Sequence, residues 1–374
     1  MVFIKSTALE DVSRATELKH VQDMLQNAVA LELATLPTYL TGVFSIKPGT
    51  NEQAKALIQS VCYGEMLHLT LASNLLISIG GNPAIYNTGT TGLIFPTPLP
   101  NFVDPSLMVD LASMTPEQVH RVYMGIEHPD TTAVLPGESE RHPHAEQALA
   151  KHETYNSIGD FYNAILEKLE ELLQEGERVF ENPREDRQID IQRYFPPVFV
   201  PRPSGPPIRL TDGKVKCMLS ARAVVGAILA EGEGVNVGTD PIDPTGGLND
   251  TFAHYFKFAE IFYGKKLIQD CASESGWSYN GESLNVDFDN VYSFRPNTKL
   301  RDYEVGSAAY YPAQEFYDTY LRLLRALDDA FNGKPQQLKP AVSIMYELKL
   351  VANKVVPFKD PLDPTCSAAP PFMA

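Results

Sequence analysis

Glu65 and His68 stand three residues apart in the stretch QAKALIQSVCYGEMLHLTLASNLLISIG, residues 53–80. After Lys55, and apart from Cys62 and Tyr63, they are its only ionisable groups. A spacing of three puts both side chains on one face of a helix, one above the other. Glu32 poses the same question in VALELATL, because it is the only charged residue between Met24 and Ile46. A buried carboxylate is costly unless it is paired, protonated or bound to a metal. Neither stretch offers a nearby Lys or Arg as a partner. A divalent metal pair would neutralise all three groups together, and a carboxylate–imidazole set suits iron or manganese.

Other groups can complete such a set. Glu153, Asp160 and Glu167 lie seven apart and share a helical face, and Asp160 in SIGDFY has the most apolar surroundings of the three. Glu231 closes the apolar run AVVGAILAE, and His254 opens the run HYFKFAEIF. Helical bundles that hold two irons use a Glu from each of two helices and a Glu-x-x-His from each of two others. Glu32 and Glu65-x-x-His68 supply the first half of that formula. The second half departs from it, with Glu231 and His254 offered from opposite sides of a loop. The expected ligand set is therefore Glu32, Glu65, His68, Asp160, Glu231 and His254, around two iron ions or an iron–manganese pair. Tyr39, two turns beyond Glu32 on the same face, is a candidate hydrogen-bond donor or radical-forming residue, with ordinary core packing as its alternative. Glu231 and Glu233 in EGEG also fit a solvated helix end. The histidines of RHPHAE sit in a loop beside Arg141, which opposes a cation and favours solvated side chains.

The elements that must position these groups are helices. Periodicity predicts helices over 13–46, 51–79, 152–175, 215–231, 249–264, 312–332 and 336–354, with a shorter one over 116–127 opened by Thr115-Pro116. Pro37 is a possible kink in the first, and Gly80-Gly81-Asn82-Pro83 stops the second. Six prolines between 196 and 207 exclude helix there. The fold class expected is all-α, a four-helix bundle with long Pro-rich insertions and additional C-terminal helices. Residues 1–275 would form the bundle, and residues 276–374 an aromatic-rich segment plus two helices packed on it. Trp277, Tyr279, Phe288, Tyr292 and Phe294 either line a pocket or simply pack that segment.

Bulk properties narrow the function classes. The chain has 374 residues and a formal net charge of -16, which argues against a phosphate-binding surface and so against nucleic acid. The start lacks a basic segment followed by an apolar run, and no apolar run reads as membrane-spanning, so no membrane partner is expected. Four scattered cysteines form no CxxC pair and read as reduced thiols in a cytoplasmic protein. Composition does not fix the oligomeric state, and a homodimer is the candidate assembly.

Beyond these patterns, the ordered motifs LELATLPTYL, GEMLHLTLASNLL, PTPLPNFVDPSLMVDLASMTPEQV, IEHPD, SIGDFYNAI, AEGEG, HYFKFAEI and EFYDTYLRLLRAL cover roughly residues 15–355. In this order they resemble the ferritin-like family associated with iminophenyl-pyruvate dimer synthases of violacein-type indole pathways. The resemblance implies a ferritin-like bundle with a di-metal centre held by the six residues named above, although at 160 the family pattern favours Glu and this chain has Asp. It implies an O2-dependent non-haem di-iron oxidoreductase acting on a small, amino-acid-derived substrate in specialised metabolism. The alternatives are oxidative dimerisation of imino acids and metal storage without an organic substrate. A chain about twice the simple bundle length, with its surplus in pocket-building insertions, favours the enzyme.

Overall fold

A computed structural model describes residues 3–86, 94–99, 107–129, 135–137, 155–200, 206–231, 252–273 and 275–374. The predicted positions Glu153 and Glu233, and the loop histidines His142, His144 and His152, lie outside the described residues. The secondary structure is mainly helical, with only short two-stranded pairs. Strand β1 (Phe3–Lys5) leads into α1 (Ser6–Ser13), α2 (Leu18–Ser45) and α3 (Glu52–Ser78). A π-helical turn, Gln118–Tyr123, runs on into the short α4 (Met124–Ile126). Then come β2 (Tyr155–Ser157), α5 (Ile158–Gln174), β3 (Val198–Val200), β4 (Ile208–Leu210), α6 (Met218–Glu231) and α7 (His254–Tyr263). Strands β5 (Ile268–Gln269) and β6 (Trp277–Ser278) precede the C-terminal helices α8 (Tyr310–Phe331) and α9 (Leu338–Val355).

Helices α2, α3, α5 and α6 pack on one another as the bundle, α7 packs on α3, and α8 with α9 forms a helical hairpin against it. The local chemistry explains the boundaries. Gly80, at φ +90, ends α3, with Gly80 and Gly81 amides returning to the Ile77 and Leu76 carbonyls at 3.0 and 2.9 Å. Asn332-Gly333 and Pro335 separate α8 from α9, as predicted. At the other end of α3, Asn51 exchanges two hydrogen bonds with the Asp287 backbone, at 2.8 and 2.7 Å. That reciprocal pair fixes the α2–α3 turn to the C-terminal segment. Leu25, Leu75, Phe256, Phe316, Phe331 and Val351 share one hydrophobic core. Trp277 and Tyr279 belong to it too, so at these two positions packing accounts for the aromatic side chains.

Two expectations need correction. The helix predicted over 152–175 begins at Ile158, because residues 155–157 pair with β1 instead. The expectation of no span-length apolar helix also fails on length alone. Helix α2 is long and apolar enough to cross a membrane, yet 89% of its most apolar window is buried inside the protein. All four cysteines are free thiols.

Candidate metal centre

Helix α2 points Glu32, Thr35 and Tyr39 inward, all of them buried. Facing them, α3 contributes Glu65 and His68 on one side, at 3% and 2% exposure. His68 Nδ1 lies 3.6 Å from Glu32 Oε2 and 3.8 Å from Glu65 Oε1. His254, the first residue of α7, is 1% exposed. Its Nδ1 stands 3.0 Å from Glu65 Oε1 and 3.4 Å from Glu127 Oε2. Glu127 caps the C-terminus of α4 and is itself buried. The imidazole rings of His68 and His254 face each other with centroids 5.4 Å apart.

Two overlapping ligand groups result. The donor atoms of Glu32, Glu65 and His68 all lie within 4.8 Å of one another, and so do those of Glu65, Glu127 and His254. Glu65 belongs to both. A test of fit comes from His254. Its Nδ1 is buried beside two carboxylates but meets hydrogen-bond geometry with neither. Buried nitrogens ordinarily satisfy a hydrogen bond; a buried nitrogen held 3.0 and 3.4 Å from two carboxylate oxygens suits a ligand to a cation shared with them. Three carboxylates and two imidazoles form a hard oxygen and nitrogen set appropriate to iron or manganese.

The surrounding hydroxyls hold the carboxylates in place. Tyr162 on α5 donates to Glu32 Oε1 at 2.8 Å. Thr35 donates to Glu65 Oε2 at 2.9 Å, and Tyr39 donates to Glu127 Oε1. Such bonds orient ligands and are part of a metal site's design. Burial and the nearby carboxylates of Glu127 and Glu65 raise the Tyr39 phenol well above its ordinary range. Burial also raises Glu65, with Glu127 adding to it, against the opposing pull of the two histidines. For Glu127 burial acts upward, but His254 and Tyr39 outweigh it and hold the carboxyl below its usual value. Burial works to lower the His254 imidazole, yet Glu127 and Glu65 overcome it and push it up to about 9. The cluster thus holds protons that a metal ion would displace.

Of the predicted residues, Glu32, Glu65, His68 and His254 come together, with Tyr39 bonded to one of the neighbouring carboxylates. Asp160 does not join them. It is exposed and completes a capping box at the start of α5, its carboxylate accepting from Ser157 N at 3.1 Å while Ser157 Oγ accepts from Asp160 N at 3.0 Å. The apolar flanks that recommended Asp160 are the buried neighbours of a surface cap. Glu231 is the last residue of α6, and Ile228 and Leu229 one turn earlier line the cavity around the carboxylates. Glu260, also on α7, is neutralised elsewhere by Lys266 at 2.8 Å.

Sequence reasoning missed Glu127 as a ligand candidate. The signal was present: Glu127 is the lone carboxylate closing the apolar run VYMGI, the same criterion that selects Glu32. Its helix is short and begins with a π-helical turn, a rare winding that concentrates at functional sites.

Gly42 keeps this packing closed. A Cβ there would sit 2.1 Å from the Tyr123 hydroxyl, and Tyr123 stacks edge-on against Tyr39 at 5.3 Å. Gly42→Ala is expected to lower stability by about 1–3 kcal/mol through overpacking, measured by chemical denaturation. An unchanged midpoint would show that the Tyr123 ring yields freely.

The geometry and sequence comparisons now converge on a family. A profile described as Ferritin-like matches residues 25–263, more than half of the chain. The chain belongs to the Ferritin-like family. A crystal structure of a ferritin like protein from Caulobacter vibrioides superposes with a TM-score of 0.53 at 22% identity, covering 96% of this chain and 99% of that one. At that identity the likeness shows the fold. No protein among the curated sequences matches the chain.

Proposed function

We propose that the protein is a non-haem di-iron oxidase or oxygenase acting with O2 on a small, amino-acid-derived organic substrate. The observation that carries the reading is Glu65, shared between two buried ligand groups of which each also has an imidazole. Two iron ions bound there would supply the electron exchange with O2 that no side chain provides. The protein's own residues do the rest. Glu32 and His68 would hold one ion, Glu127 and His254 the other, and Glu65 both. Tyr162, Thr35 and Tyr39 fix the carboxylate orientations, and Tyr39 keeps a proton at the Glu127 oxygen. Leu31, Ile126, Ile158, Ile228 and Leu229 form the apolar wall of the small cavity around them. The ordered motif resemblance supports oxidative coupling of two imino acids, as in iminophenyl-pyruvate dimer synthases, as the finer alternative.

A second reading has an observation of its own. The cavity at the carboxylates measures about 40 Å³, space for only a few waters at roughly 10–15 Å³ each. That size suits ions and O2 alone, as a metal-handling protein without an organic substrate requires. Elemental analysis after expression with added iron or manganese is expected to give about two metals per chain. The anaerobic ferrous protein should then consume O2 without accumulating further iron. Near-zero metal under both supplements overturns the di-metal reading, and continued iron uptake into a mineral core assigns storage instead.

A further inference from the structure

A second cavity reaches α3 at Cys62 and Met66, on either side of Glu65 in sequence, and three helical stripes build it. Leu40, Val43 and Phe44 project from α2, and Cys62 and Met66 from α3. From α9 come Leu338, Val342, Met345, Tyr346 and Lys349, spaced along one face. Phe195 closes one side, its ring tilted against Tyr63 with centroids 5.2 Å apart. The space between them, open to the surface at Tyr63 and Tyr346, is about 300 Å³, at the lower end of small-molecule sites.

Its chemistry narrows the occupant. The deep walls are hydrocarbon and thioether, and the Cys62 thiol among them is driven towards its neutral form by burial, with Glu65 adding to the effect. The remaining polar lining stands at the rim: the Tyr63 hydroxyl already donates to the Tyr194 carbonyl and the Tyr194 hydroxyl to the Pro335 carbonyl, while Gln59 and Tyr346 are exposed. An unpaired polar atom among the deep walls is therefore penalised. At the mouth stands Lys349, which makes no ion pair or hydrogen bond among the described residues. A plain hydrocarbon body with one anionic head satisfies both ends. At the same roughly 10–15 Å³ per water-sized group, the cavity has room for about 20–30 such groups, so a chain of about ten carbons fits with space to spare.

We propose that this cavity binds a medium-chain aliphatic carboxylic acid, its chain between α2, α3 and α9 and its carboxylate on Lys349. The site is built whether or not metal binds at Glu65, so its failure and that of the di-metal reading are separable. Isothermal titration of the full chain with decanoate, well below its micellar range, is the test. Saturable one-to-one binding is expected, weakened about tenfold by Lys349→Glu and abolished by Val342→Trp, which plugs the mouth from a partly exposed position. Decanol should bind more weakly than decanoate in the wild type and equally to Lys349→Glu. Circular dichroism of both variants checks that the helices remain. Absence of saturable decanoate binding, or binding undiminished by Val342→Trp, overturns the site. Equal affinity for decanoate and decanol in the wild type, or an unchanged affinity in Lys349→Glu, overturns the carboxylate assignment.

Discussion

Glu65→Ala is expected to empty both metal positions at once, taking the metal content from about two per chain to near zero. The expectation rests on its membership of both ligand groups. Removing Glu32 leaves Glu65, Glu127 and His254 together, so Glu32→Ala should retain about one metal. The two substitutions therefore differ in stoichiometry, a readout that a general loss of folding does not imitate. Stability should move the other way. Burial and the Glu127 carboxylate both disfavour the ionised form of Glu65, so its removal relieves a strained charge in the protein without metal. The alanine leaves a small void and frees the Thr35 hydroxyl, which still reaches the Glu32 carbonyl at 3.0 Å. Glu65→Gln keeps the volume and is expected to lose metal as fully, with its melting temperature at or above that of the metal-stripped wild type. Metal analysis paired with thermal unfolding in chelator checks both. Two metals per chain in Glu65→Ala would end the case for a shared carboxylate.

The parts of this centre that sequence reveals are those carried on long helices. Glu32 and Glu65 are conspicuous because more than two turns of apolar residues surround each, so burial follows from periodicity alone. His68 follows from Glu65 by spacing, and His254 from its place at the head of an apolar helix. The helices themselves were legible for the same reason, including the α8–α9 hairpin with its Asn332-Gly333 break. Where the periodicity is short, the reading fails. The run before Glu127 spans only the π-helical turn and α4, too few residues to establish a face. The β1–β2 pairing joins segments far apart in sequence, and no local pattern announces it. The same pairing ends at Ser157 and so sets where α5 begins.

The contrast between Glu127 and Asp160 gives the second large expected effect. Glu127→Ala should cost about one of two metals, since Glu127 serves only the group that includes His254. It also strips Tyr39 of its carboxylate acceptor, leaving a buried phenol unsatisfied at a penalty of about 1–3 kcal/mol. Combining it with Tyr39→Phe removes that penalty while leaving the metal loss in place, which separates the ligand role from the packing role. Asp160→Asn predicts the opposite pattern. Its carboxylate serves the α5 N-terminus, where an anion contributes about 0.3–1 kcal/mol at an exposed first turn, and it touches neither ligand group. Metal content should stay at the wild-type value, with only a small fall in melting temperature. Measured side by side, the two variants decide which acidic residue completes the set opposite Glu32. If Asp160→Asn lost metal and Glu127→Ala kept it, the ligand assignment would pass back from the turn after α4 to the start of α5. The capping box at Ser157 would then have to open whenever the site fills, since one carboxylate cannot cap the helix at the surface and hold a buried ion.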